Sequence, residues 1–293
     1  MKSSTLAAPW TATHLGRNVI RVDIHTDKPV GWSQEFLLTG DRHHDNAKTD
    51  HDLEERHLRQ AVEKDAGIID CGDLHDAMQG KWDKRADTSQ CRPEQQEGRY
   101  LDSLVDCAAD FYRPYARNWL VMGRGNHEQS ILKRHETDLT ERTVQAINSM
   151  EGTTVQAGGY GGWVLFHIHR QKAVHSFRLK YFHGSGGGGP VTRGVIQTNR
   201  QAVFLPDAHI VLTGHVHEQW QVVVPRERIN KKGVISLDEQ IHVKTGTYKD
   251  EYADGHSGWH IERGAPPKPL GGWWLRFYYR GNGEFSYDLR RTD

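Results

Sequence analysis

The 293-residue chain has little cysteine, no net charge and no long apolar run. Its three cysteines, Cys71, Cys91 and Cys107, are odd in number and share no paired spacing, which argues against a disulfide framework and fits a reducing compartment. No stretch approaches the ~18 consecutive apolar residues that a membrane span needs. The opening MKSSTLAAPWTATHLGRNV has no run long enough for a signal-peptide core. A cytoplasmic protein with no membrane partner is therefore expected. Acids and bases number 38 each, so global charge selects neither nucleic acid nor membrane. Internal repeats are lacking, and SGGGGP is too short to separate domains. Acidic residues are absent between Glu151 and Asp207, whereas Arg170, Lys172, Arg178, Lys180, Arg193 and Arg200 are basic. That imbalance predicts a local positive field suited to an anionic substrate.

What is present is a low but adequate apolar content of 36% and a regular alternation of short strands and helices. Apolar periodicity predicts helices over 52–65, capped by Asp50 or Asp52, over 99–112, stopped by Pro114, and over 137–149. The runs FLLTGD (36–41), GIIDCGD (67–73), NWLVMGRGN (118–126), RLKYFH (178–183) and HIVLTGH (209–215) read as buried strands. The first three alternate with helices, the sign of parallel βαβ units, whose functional crevice lies beyond the strands' carboxyl ends. The segments QWQVVV, GVISL and GGWWLRFYY lack helical partners of their own. Residues 218–293 are thus expected to complete the sheets of a single domain spanning 1–293, with the motif-bearing core at 36–217.

Each of the five strands ends on a residue able to bind metal. In order these ends are Asp41-Arg42-His43, Gly72-Asp73, Gly125-Asn126-His127-Glu128, His183 and Gly214-His215-Val216-His217. Singly they are ordinary, because the chain has 19 histidines and a second His-x-His pair at His167 and His169. That second pair shares one face of a strand without a following glycine turn and reads as structural. The glycine run after His183 lacks the GK[ST] ending of a phosphate-binding loop.

Jointly and in this order, D-x-H, GD, GNHE, H and GH-x-H resemble the calcineurin-like metallophosphoesterase superfamily, over residues 36–217. The resemblance implies an α/β fold of two facing mixed sheets flanked by helices, a four-layer sandwich. It implies two divalent ions, Mn²⁺ first, with Fe²⁺, Zn²⁺ or Ni²⁺ also suited to mixed imidazole and carboxylate shells. By resemblance Asp41, His43 and His217 hold one ion, Asn126, His183 and His215 the other, and Asp73 bridges them. His127 then acts at the leaving-group oxygen, oriented by Asp76, while a metal-bound hydroxide attacks phosphorus. Protein phosphatases of the superfamily carry an arginine within GD-x-x-D-R-G. Here GDLHDAMQG puts Ala77 at that position. Arg124 is the expected substitute phosphate contact, and His75 in GDLH resembles the superfamily's nucleases. The expected function is a dinuclear phosphodiesterase acting on DNA, RNA or nucleotides. The alternatives are a broad-range phosphomonoesterase or a non-catalytic scaffold of the same fold.

Overall fold

The computed structural model describes residues 9–16, 18–27, 30–78, 91–95, 98–189 and 191–293. The chain begins with β1 (Trp10–Gly16), β2 (Val19–His25) and β3 (Ser33–Thr39), followed by α1 (His51–Glu63) and β4 (Gly67–Asp70). Next come α2 (Tyr100–Tyr112), β5 (Trp119–Met122), α3 (Asn126–His135), α4 (Leu139–Glu151) and β6 (Gln156–Ala157). The second half contains β7 (Gly161–Arg170), β8 (Ala173–Phe182), α5 (Ile196–Phe204) and β9 (Ile210–Thr213). It ends with β10 (Trp220–Ile229), β11 (Ile235–Lys244), β12 (Trp273–Tyr279) and β13 (Phe285–Arg291).

Asp50 caps α1 by accepting from the Leu53 amide at 2.9 Å, so the first of the two expected caps is used. Pro114 ends α2 as expected, because α2 passes directly into a 3₁₀ turn over Arg113–Asn118. Val62, although in phase with the expected apolar stripe of α1, is 43% exposed near the helix end. The helix α3 was not expected. It starts at Asn126 inside a motif that reads as a strand end, since its sequence NHEQSILKRH has few apolar residues to set a period.

Two mixed sheets result. The first runs β1-β2-β7-β8-β9-β11-β10 and the second β13-β12-β3-β4-β5-β6. Strands β3, β4 and β5 are parallel neighbours, as their alternation with helices requires. The inner faces meet through Ile20, Val22, Val164 and Phe166 on one side and Phe36, Leu38, Leu275 and Phe277 on the other. Phe36 and Phe166 pack edge to face with centroids 4.8 Å apart. Leu37, Ile68 and Met122 point out of the opposite face of the second sheet. There they bury Leu58 and Ala61 of α1, Ala108 and Tyr112 of α2, and Val144 and Ile147 of α4. This is the expected sandwich of facing mixed sheets with helices outside. The C-terminal strands enter both sheets: β11 pairs with β9, and β12 pairs with β3. Among the described residues no helix is long and apolar enough to cross a membrane.

Candidate metal centre

The five motif blocks converge where β3, β4, β5, β8 and β9 end. Backbone bonds join the first two blocks, from the Asp41 amide to the Gly72 carbonyl at 2.9 Å and from the His43 amide to the Asp73 carbonyl at 3.0 Å. The Gly214 amide bonds the His183 carbonyl at 2.8 Å, and the His215 amide donates to Asp41 Oδ2 at 2.8 Å. The turn before His215 must be glycine, because a Cβ on Gly214 would lie 2.4 Å from Asp41 Oδ2.

Asp41, His43, Asp73, Ala77, His215 and His217 all have left-handed backbones, with φ between 48° and 78°. Such conformations cost non-glycine residues about 1–3 kcal/mol each and persist where surrounding structure imposes them. Their concentration on these loops marks the sheet ends as the place where the fold stores strain.

Two sets of ligand atoms are brought together. In the first, His43 Nε2 and His217 Nε2 face each other at 3.1 Å, and His217 Nε2 lies 3.6 Å from Asp41 Oδ1. In the second, Asn126 Oδ1 lies 2.6 Å from His215 Nδ1 and 3.0 Å from His183 Nε2, and His183 Nε2 lies 3.2 Å from Asp73 Oδ2. The atoms of Asp41, His43 and His217, and those of Asp73, His183 and His215, each gather within 4.8 Å. All seven residues named from the motifs therefore sit at one site, and both sets are candidate divalent-metal sites.

The electrostatics fit cations. Burial, reinforced by the charge of Asp73 and opposed by His183 and His43, pushes Asp41 up to about 7. Burial opposes ionisation of Asp73 too, but His183 and His127 hold its carboxyl well below the usual range. Burial disfavours a charged His183, yet Asp73 outweighs it and pushes that imidazole up to about 9. Two buried carboxylates thus draw positive charge into the site. Mixed imidazole, amide and carboxylate donors suit divalent first-row metals.

His127 stands beside both sets, and with His43 and Asp76 it forms a third group whose ligand atoms lie within 4.8 Å of one another. Its Nδ1 donates to the Asp76 carbonyl in a short hydrogen bond, its amide donates to Asp73 Oδ1 at 3.0 Å, and Nε2 lies 3.8 Å from Asp73 Oδ2. The expected role of Asp76 needs correction. Its carboxylate accepts from Asn46 Nδ2 at 2.8 Å and lies 2.8 Å from His43 Nδ1, but 3.8 Å from His127 Nδ1. It is the Asp76 backbone carbonyl that orients His127, while the side chain orients His43.

Two further expectations are overturned. Arg124 does not reach toward the ligand atoms; its guanidinium forms a close ion pair with Asp138, the N-cap of α4. His75 is fully buried and bonds Thr143 Oγ1 at 3.0 Å, and burial pushes its imidazole down to about 3. It is a neutral core residue. Of the basic residues of 152–206, Arg178 lies 3.9 Å from Asp207 and Arg170 donates to the Gly283 carbonyl at 3.0 Å.

Several supporting residues escaped the motif reading. Asp45 accepts from the amides of Asp76 and Ala77 at 2.6 and 2.9 Å, fixing the loop that carries Asp73. Glu128 bonds the Gly125 amide at 2.9 Å and the His75 amide at 2.8 Å, tying the GNHE and GD blocks together. Arg42, between two ligands, is buried against Glu54 at 3.1 Å and Asp70 at 3.0 Å, beneath the site. A cleft lined by Gly184, Ser185, Gln197, Val216, Trp220 and Lys244 adjoins His215. Polar residues with no period in the sequence carry no signal of such contacts; only the Glu of GNHE belonged to a motif.

No family model matches the chain, and no curated protein is similar to it. A solved structure from Streptococcus pneumoniae, a conserved uncharacterised protein described as a predicted phosphoesterase, overlays with a TM-score of 0.32 at 11% identity, covering 88% of this chain and 99% of its own. A Thermotoga maritima protein overlays with a TM-score of 0.31 at 13% identity, with the same coverage of 88% and 99%. The chemistry of the site lies in its own residues. In those residues, five motif blocks that meet at the ends of two facing sheets, the chain resembles the calcineurin-like metallophosphoesterases.

Proposed function

We propose that the protein is a metal-dependent phosphoester hydrolase and, within that class, a phosphodiesterase acting on nucleotides or nucleic acid. The observation that carries the reading is the pair of candidate ligand sets gathered at one site with His127 beside them. When bound, two divalent ions supply Lewis-acid charge for water activation and for the phosphoryl oxygens. Asp41, His43 and His217 would hold one, Asn126, His183 and His215 the other, with Asp73 between.

The chain's own part is positioning and proton transfer. The Asp76 carbonyl accepts a hydrogen bond from the Nδ1–H of His127, which leaves Nε2 directed at the centre. A proton held at Nε2 passes to the departing oxygen as the P–O bond breaks. The preference for a diester rests on the motif arginine that Ala77 replaces. A monoester dianion needs an arginine-type clamp more than a diester monoanion does. Ala77 occupies the clamp position of the protein phosphatases, and its amide is bound by Asp45. Arg124 is committed to Asp138.

Turnover of bis-p-nitrophenyl phosphate against p-nitrophenyl phosphate, with added Mn²⁺, tests the preference. The diester should be hydrolysed with the larger kcat/KM. The reverse order would make the enzyme a phosphomonoesterase, and no turnover of either by metal-loaded protein would favour a scaffold.

A further inference from the structure

We propose a second, separate metal site on the outer face of the seven-stranded sheet, formed by Asp23, His167 and His169 and suited to Zn²⁺. Strands β2 and β7 are parallel neighbours, with Asp23 paired to His167 and His25 to His169. Ile20, Val22 and Ile24, with Val164, Phe166 and Ile168, fill the inner core, so the alternate residues share the outer face. His-x-His on one strand and an aspartate on the next therefore come together through sheet register alone.

Their geometry is that of a three-donor site. His169 Nε2 lies 2.8 Å and His167 Nδ1 3.8 Å from the same oxygen, Asp23 Oδ1. One ligand atom from each residue falls within 4.8 Å of the others. The other carboxylate oxygen, Oδ2, accepts from Arg21 Nε at 2.7 Å, which fixes the carboxylate without occupying Oδ1. His25 stacks on His169 with centroids 4.5 Å apart and restrains that ring. Supports of this kind around metal ligands are worth about 10–100-fold in affinity.

Two imidazoles and one carboxylate select a borderline ion such as Zn²⁺ over Mg²⁺ or Ca²⁺, with a fourth position left for water. The side chains of His167 and His169 are 33% and 29% exposed, so an ion can enter from solvent. Gly161 of β7 pairs with Phe182, next to His183, and His167 lies six residues further along β7. At ~3.4 Å per residue, the second site is about 20 Å from the first. Bound there, the ion would cross-link β2 to β7 and fasten the β1–β2 hairpin to the sheet.

Zinc content, measured by elemental analysis after Zn²⁺ loading and gel filtration, tests the assignment independently of activity. The double variant His167→Ala/His169→Ala and the single variant Asp23→Asn should each carry one ion per chain fewer than wild type, with unchanged circular dichroism. Asp73→Asn should lose zinc from the first centre and still lose one more ion when combined with Asp23→Asn. That pattern separates this site from the phosphoesterase reading, on which it does not rest. If the double variant and Asp23→Asn both hold as much zinc as wild type, the cluster is an Asp–His hydrogen bond only and the proposal fails. Loss in the double variant but not in Asp23→Asn would remove the carboxylate ligand and overturn the three-donor site.

Discussion

His127 shows how one side chain gets its task from two neighbours. Its Nδ1 is tied to the Asp76 carbonyl and its amide to Asp73, so the ring is held in place beside both candidate sets. His127→Ala should keep both ions and bind substrate, while turnover falls by roughly 10²–10⁴, the range for removing a positioned acid. The loss should shrink as the leaving group improves, because p-nitrophenolate needs little protonation. Aryl phosphodiesters of graded leaving-group pKa measure this on wild type and variant. Parallel dependences would show a purely electrostatic role instead.

Among the elements, the turn from β5 into α3 sets the tightest constraint on the site. Glu128 folds back to cap the Gly125 amide, and Asn126 starts the helix with its side chain toward His183 and His215. A Cβ at Gly125 would fall 1.9 Å from Asp73 Oδ1, so this turn and the Asp73 carboxylate occupy adjoining space. Gly125→Ala should displace Asp73 and weaken metal binding by at least the roughly 10–100-fold seen when supporting contacts of a ligand are lost. Isothermal titration with Mn²⁺ measures it. Wild-type affinity in the variant would mean that the backbone gives way without moving the carboxylate.

For the whole molecule, buried groups on α1 contribute to the acid limit of stability. Burial, opposed in part by the Asp293 carbonyl, pushes the His57 imidazole down to about 4. A histidine depressed in the fold is kept neutral there while the unfolded chain takes up a proton near 6.5. Its contribution is complete above about pH 6.5 and is lost as pH falls through about 4, on the order of 3 kcal/mol. Burial alone would raise Glu54, but His44, Arg42 and Tyr112 hold it down to about 2. Its share is present above about pH 4.5 and disappears as pH falls toward 2. The melting temperature of chelator-treated protein should therefore fall in two stages, first between pH 6.5 and 4 and then below 4.5. His57→Gln should make the first stage shallower. An unchanged slope would assign that stage to other groups.

The strands and main helices could be read from the sequence because burial imposes a period on apolar residues, and the candidate ligand residues because each follows a strand at a glycine or an aspartate. FLLTGD, GIIDCGD and IVLTGH needed only that local pattern. The sequence by itself determined which side chains end at the sheet edge and that the C-terminal segments had to find existing sheets. Only the tertiary structure decided how the polar residues between them pair. Contacts of His75 with Thr143, of Arg124 with Asp138 and of the Asp76 side chain with His43 cross 68, 14 and 33 residues of chain and leave no periodic trace. It likewise decided that Asp23 meets His167 and His169. That contact depends on which strand β2 takes as its parallel neighbour, a choice made by core packing between sheets rather than by the local pattern of either strand.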